Sequence, residues 1–186
     1  MTGFFNFSRS AAVAAGSLLT IFAICGTANA VTDTNFKYTA PRTGYFTIDS
    51  LAMSPAGAGS DYTIDFSGGV GLSVNGGPCF TAGVNLPNGA TITNVAAYYR
   101  SGMGSDLIVK LFSHKLADGV SNEIAAKILT DNSGIRKVTN LTLVPTPAAL
   151  IVNNAQFSYG LGICLTTTDN KFYAARITYT YNNAGD

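Results

Sequence analysis

His114 is the single histidine of the chain, and it carries the only ordinary side-chain charge change near neutral pH. A serine nucleophile would need such a base within hydrogen-bond reach. No Gly-x-Ser-x-Gly elbow occurs; Ser101-Gly102-Met103-Gly104 is glycine-rich without that spacing. His114 alternates with Lys110 and Phe112 on the face opposite Leu111, so a surface place near a strand end is expected of it rather than base catalysis. Glycoside hydrolysis needs two carboxyl groups about 5 to 10 Å apart. Asp61 and Asp65 are the nearest pair, and an extended chain would separate them by about 13 Å. A solvated face is the better reading. Asp131-Asn132-Ser133-Gly134 and Asp169-Asn170 have turn chemistry rather than a calcium-loop pattern. One histidine and two distant cysteines make no zinc cluster, and no Gly-Lys-Ser/Thr phosphate loop occurs. No catalytic residue, cofactor or metal ligand is therefore assigned.

The aromatic residues offer a different chemistry. Tyr98-Tyr99 and the set Tyr173, Tyr179, Tyr181 have the composition of a surface on which sugar rings stack. The competing reading is that one ring of each pair enters the core while the other covers a sheet. The chain has no tryptophan, the largest stacking face, which weighs against a sugar platform.

Met1 to Ala30 reads as a secretory leader. Arg9 supplies positive charge, Ala11 to Ile24 an apolar run, and Ala28-Asn29-Ala30 small residues for cleavage before Val31. A retained anchor is the alternative, but the run holds Gly16, Ser17 and Thr20 and falls short of the roughly 20 residues that span a bilayer. Lipidation at Cys25 would need a small residue before it, where Ile24 stands. The expected location is secreted or periplasmic. The remaining cysteines, Cys79 and Cys164, then read most simply as one disulfide, with two buried thiols as the alternative.

The mature chain, 31–186, is the length of one domain. Its ten basic and ten acidic residues balance, which leaves no electrostatic footprint for nucleic acid or anionic membrane. Glu123 is the lone glutamate, while Gly, Thr, Asn, Val and Tyr abound. That favours strands over helices.

Alternation and turn residues predict nine or ten short strands. Pro41 confines the first segment, Val31 to Arg42, to a sheet edge, and Tyr45 to Asp49 follows. Asn75-Gly76 between Val70–Val74 and Phe80–Leu86 predicts a hairpin. Thr91 to Tyr99 puts Val95, Ala97 and Tyr99 on one face, with a bulge near Thr93-Asn94. Leu107 to Leu116, Asn122 to Leu129, Val138 to Val144 and Ala149 to Val152 are further strands. Phe157 to Leu165 alternates most cleanly. In Phe172 to Tyr181, strict alternation puts Tyr173, Ala175, Ile177, Tyr179 and Tyr181 together. Such spacing is the mark of an antiparallel sandwich or barrel.

The stretch Leu86-Pro-Asn-Gly-Ala-Thr-Ile-Thr-Asn-Val-Ala-Ala-Tyr-Tyr99, then Asp106 to Leu111, and the ending at Cys164 and Arg176-Ile-Thr-Tyr-Thr-Tyr181, resemble uncharacterised secreted bacterial β-sandwich proteins. The resemblance covers about half of the mature chain. It implies a jelly-roll-like sandwich and carries over no catalytic residue.

The expectation is thus an all-β, jelly-roll-like antiparallel β-sandwich that binds or assembles outside the cell without catalysis. A carbohydrate-binding module using exposed tyrosines is the alternative, and a hydrolase comes third. A protein or glycan partner is expected, nucleic acid is not, and no membrane segment remains after cleavage. A homo-oligomer is left open.

Overall fold

Alternating apolar residues along extended segments force each strand to bury one face, and two sheets facing one another satisfy that demand. In the computed structural model, residues 37–57, 62–65, 69–72, 78–102, 105–130 and 133–183 are described. They form an all-β, antiparallel, jelly-roll-like sandwich. The expected leader and cleavage site, Asp61, the Asn75-Gly76 pair and the Asp131-Asn132 pair lie outside the described residues.

The twelve strands are β1 (Lys37–Asp49), β2 (Ser54–Pro55), β3 (Tyr62–Asp65), β4 (Gly69–Leu72), β5 (Cys79–Val84), β6 (Thr91–Arg100), β7 (Asp106–Lys115), β8 (Ser121–Thr130), β9 (Lys137–Asn140), β10 (Thr142–Leu143), β11 (Phe157–Leu165) and β12 (Lys171–Asn183). The first sheet runs β3-β4-β12-β6-β9, with β1 also paired to β12; the second runs β10-β8-β7-β11-β5-β2. Among the described residues only β3–β4 and β7–β8 pair with their neighbours in sequence. Every other connection crosses between sheets or skips strands. The expected hairpin around Asn75-Gly76 is therefore corrected. β4 pairs with β3 and β12, whereas β5 pairs with β11 and β2 in the opposite sheet. Alternation identified both strands but could not choose their partners.

The core lies between the sheets. Val95, Ala97, Ile177, Ala175 and Phe172 from the first sheet meet Leu107, Val109, Leu111, Leu161 and Ile163 from the second, all fully or almost fully buried. β11 follows its predicted alternation, with Tyr159, Leu161, Ile163 and Leu165 inward. The segment predicted at 138–144 divides. β9 belongs to the first sheet and β10 to the second, and the buried Leu141 between them donates its N–H to the Val95 carbonyl. The strand expected at Ala149 to Val152 is instead a single 3-10 turn, Pro147–Leu150, followed by an isolated bridge from Ile151 to Thr91. Pro147 presets the φ of the turn and has no N–H for a ladder. From Lys37 onward the predicted edge segment merges with the strand at Tyr45 into β1, an edge strand whose register breaks between Lys37 and Arg42, beside Pro41.

Two local devices hold the ends. At one end Asn170 is fully buried. Its side-chain oxygen accepts from the Gly102 N–H (3.2 Å) and the Ser105 hydroxyl (2.7 Å), while its amide donates to the Asp106 carbonyl (2.8 Å) and the Thr166 hydroxyl (3.2 Å). All four hydrogen-bonding directions of this amide are used, so it ties the loop after β6 to the loop after β11. At the β7–β8 turn, Gly119 takes the left-handed conformation (φ 71°). Asp118 accepts from Lys115 Nζ at 2.7 Å and from the Val120 N–H at 3.1 Å. The Lys115 ammonium, then the Val120 N–H, hold its carboxyl below the ordinary value.

Cys79 and Cys164 are joined in a disulfide, with Cα atoms 4.0 Å apart on directly paired positions of β5 and β11. The bridge closes 85 residues of chain, and it points away from the core, since Phe80, Ile163 and Leu165 occupy the inner face.

Three outcomes follow from this architecture. Asn170→Ala leaves the buried Gly102 N–H without its partner and removes three further hydrogen bonds, and should destabilise the fold by about 1 to 3 kcal/mol. Urea unfolding would read this as a lower midpoint at unchanged slope, and a change within about 0.5 kcal/mol would contradict it. Removing the bridge as Cys79→Ser with Cys164→Ser should lower stability by up to roughly 4 to 5 kcal/mol on the chain-entropy account. The depressed Asp118 carboxyl contributes stability above the ordinary aspartate pKa and loses it as pH falls through its folded value. An NMR titration should give a low midpoint that rises in Lys115→Met; equal midpoints would remove the ion pair from the explanation.

Candidate functional site

The outer face of the first sheet collects side chains that the core has no use for. β6 and β12 are registered so that Ala97 faces Ala175 and Val95 faces Ile177, all inward. The intervening pairs, Ala174 with Tyr98, Arg176 with Ala96 and Thr178 with Asn94, therefore look outward. β1 adds Tyr45, opposite Thr178, and Thr47, opposite Arg176. β9 adds Val138, opposite Tyr98, and Asn140, opposite Ala96.

Small residues form the floor. Ala96 is only 2% exposed although it faces outward, because longer neighbours stand around it. Asn94 Nδ2 donates to Asn140 Oδ1 at 3.2 Å across the β6–β9 edge. On the opposite side Tyr45 stands 63% exposed, with the Arg176 guanidinium over its ring at 5.5 Å.

A second ring–guanidinium pair comes from a bulge. Phe172 faces Tyr99 but Ala174 faces Tyr98, so Tyr173 is an extra residue in β12. Strict alternation would put Tyr173 with Ala175, on the inner side. The bulge reverses this: Phe172 keeps the core position, and Tyr173 lies beside Gly69, where an added Cβ would sit 3.0 Å from its ring. The Arg136 guanidinium sits over that ring at 4.5 Å. The slip predicted near Thr93-Asn94 is also present, opposite Thr178 and Tyr179.

The five tyrosines singled out from sequence thus divide three ways. Tyr98 and Tyr173 belong to the outer face. Tyr99 is 3% exposed and packs in the core, its hydroxyl 3.4 Å from the Thr139 hydroxyl. Its ring offers no face to solvent. Tyr179 and Tyr181 pack partly buried against the core margin. Tyr181 contacts Tyr38 and Tyr179, each with ring centroids 5.8 Å apart, and Arg42 lies over Tyr38. Beside them is a recess of about 430 Å³ lined in part by Asn88, Thr91, Tyr181 and Asn182. Sequence reading missed Tyr45 and Arg176. Their signal was parity: Tyr45 alternates with Phe46 and Ile48, and Arg176 with Ala175 and Ile177.

His114 lies on the outer face of the second sheet, its ring 4.7 Å from Phe112. Ser121 and Ser158 flank it by register, and among the described residues no hydrogen bond ties it to either. No group of three His, Cys, Asp or Glu capable of holding a metal occurs among the described residues. No described helix is long and apolar enough to cross a membrane.

No family model matches the chain. No curated protein matches it. Solved structures similar to it include infectious bursal disease virus Gx strain, at 13% identity and TM-score 0.39, covering 75% of this chain and 32% of that one. The Clostridium thermocellum xylanase 10B CBM22-1–GH10 modules complexed with xylohexaose match at 12% identity and TM-score 0.44, covering 75% and 27%. CsCBM6-3 from Clostridium stercorarium in complex with cellobiose matches at 9% identity and TM-score 0.38, covering 75% and 94%. The chain spans about a third or less of the viral and xylanase chains. At these identities no residue is carried over. The molecule itself is defined by its own geometry: a disulfide-bonded β-sandwich with an open face of tyrosine, arginine and asparagine.

The two sides of the first sheet should respond differently to truncation. Tyr99→Ala should cost about 3 to 5 kcal/mol, as for a buried aromatic ring, whereas Tyr45→Ala should stay within about 0.5 kcal/mol. Urea denaturation checks both, and equal costs would contradict the assigned faces.

Proposed function

We propose that this domain is a non-catalytic, exported binding module and that its ligand is a glycan held on the outer face of the first sheet. The observation that supports this reading is the arrangement on that face. Tyr45, Tyr98 and Tyr173 surround a floor of Ala96 and Ala174, with Asn94, Asn140 and Thr178 between them. Sugar recognition needs apolar ring faces for C–H surfaces and fixed amide and hydroxyl groups for the hydroxyls. A sheet supplies both on a rigid base, at little ordering cost.

Export is supported by the disulfide, which persists in oxidising compartments, and by the leader-like composition of Met1 to Ala30. Strand-to-strand assembly is the weaker reading. The longest edge, β1, carries Pro41 and a register break, two features that blunt edge pairing.

The reading is tested with the secreted protein on a glycan array. Binding is expected, and Tyr45→Ala and Tyr98→Ala should abolish it while leaving the unfolding midpoint within the range of surface changes. Binding unaffected by either substitution would contradict the assigned face. His114→Ala should leave both fold and binding intact. Ester, peptide or glycan turnover by the wild type that disappears in His114→Ala would overturn the non-catalytic reading. Intact-mass analysis should find a chain beginning at Val31.

A further inference from the structure

The ten basic and ten acidic residues of 31–186 balance in number, but they are not evenly paired. Among the described residues the ion-paired lysines belong to the second sheet and its turn: Lys110 with Glu123 at 3.2 Å, and Lys115 with Asp118 at 2.7 Å. On the outer face of the first sheet, Arg136 and Arg176 have no carboxylate within ion-pair distance among the described residues. Each is held over a tyrosine instead, at 4.5 and 5.5 Å. Asp49 is the acidic residue that β1 brings to this side, opposite Ala174. Its carboxylate is turned to its own backbone, where it caps the following 3-10 turn by accepting from the Leu51 N–H at 2.9 Å.

We infer that the ligand of this face is a polysaccharide carrying carboxylate groups, a polyuronate. This rests on the glycan reading above and names the substrate class of that same site. A guanidinium over an aromatic ring is attracted through its π face. Its N–H fork lies in its own plane and matches a carboxylate with two parallel hydrogen bonds. Stacking also restrains the long side chain before the ligand arrives, which lowers the ordering cost. The ring–guanidinium unit occurs twice on this sheet, as Tyr45 with Arg176 and Tyr173 with Arg136. A polyuronate repeats a matching unit, since every sugar carries both a ring to stack and a carboxylate to pair. A neutral glycan would offer these forks only neutral hydroxyl acceptors, without the charge or the paired oxygens of a carboxylate.

The test is affinity electrophoresis of the secreted protein in gels containing polygalacturonate, the same polymer methyl-esterified, neutral hydroxyethylcellulose, dextran sulfate, or single-stranded DNA. The expected result is strongest retardation by polygalacturonate, weakened roughly tenfold by esterification and falling with added salt. Arg136→Gln and Arg176→Gln should each weaken it roughly fivefold or more, as for loss of a charge-assisted hydrogen-bond pair. Arg176→Lys should restore only part, because it returns the charge without the fork. Unchanged thermal midpoints keep these losses distinct from misfolding. Equal binding of free and esterified polymer would overturn the polyuronate inference and leave the glycan reading standing. Equal or tighter binding of dextran sulfate or DNA would overturn it in favour of general polyanion attraction. Binding of no polysaccharide would overturn both.

Discussion

β12 is held by backbone ladders along both edges, with β6 on one side and β4 then β1 on the other. Neither edge can slide without breaking two sets of hydrogen bonds, and a slip of one residue would turn every side chain over. One extra residue is nevertheless accommodated, at Tyr173. Phe172 stays fully buried on one side of the bulge, and Ala175 and Ile177 do so on the other. The surplus residue has nowhere to go but outward. The core's demand for Phe172 and Ala175 is thus what puts Tyr173 on the outer face beneath Arg136. The proposed binding face is the other side of the packing arrangement, fixed by the same register.

This explains which parts of the fold were legible in sequence. β11 has no bulge and its predicted alternation survives intact. β7 likewise keeps Leu107, Val109 and Leu111 inward and Ile108, Lys110, Phe112 and His114 outward. The bulge near Thr93 was foreshadowed by a visible slip in apolar spacing. That at Tyr173 was not, because Phe172, Tyr173 and Ala175 can all be buried residues by type. The partners of β4 and β5 were hidden for a different reason. Asn-Gly marks a turn but does not say whether the chain turns within a sheet or crosses to the opposite one. In a sandwich whose strands pair mostly at long range, local turn chemistry decides few of the pairings.

The site was less legible than the fold. Ring type alone grouped Tyr98, Tyr99, Tyr173, Tyr179 and Tyr181, yet their positions depend on strand parity, a bulge and the end of β12. Composition also concealed the electrostatics. Equal numbers of acids and bases suggested a neutral surface, but pairing is a spatial property. Glu123 and Asp118 neutralise lysines on the second sheet and its turn, and Asp49 is committed to a cap. Arg136 and Arg176 are left over tyrosine rings. A guanidinium over a ring retains its charge, so this face remains cationic while the chain as a whole is balanced.

The most direct measurement of the central claim is backbone amide chemical-shift mapping of the isotopically labelled protein during titration with a galacturonate oligosaccharide. The account predicts shifts clustered at Tyr45, Asn94, Ala96, Tyr98, Ala174 and Arg176, saturating together with one affinity. Shifts centred instead on Ile108, Phe112 and His114 of the second sheet, or on the recess beside Tyr181, would contradict it.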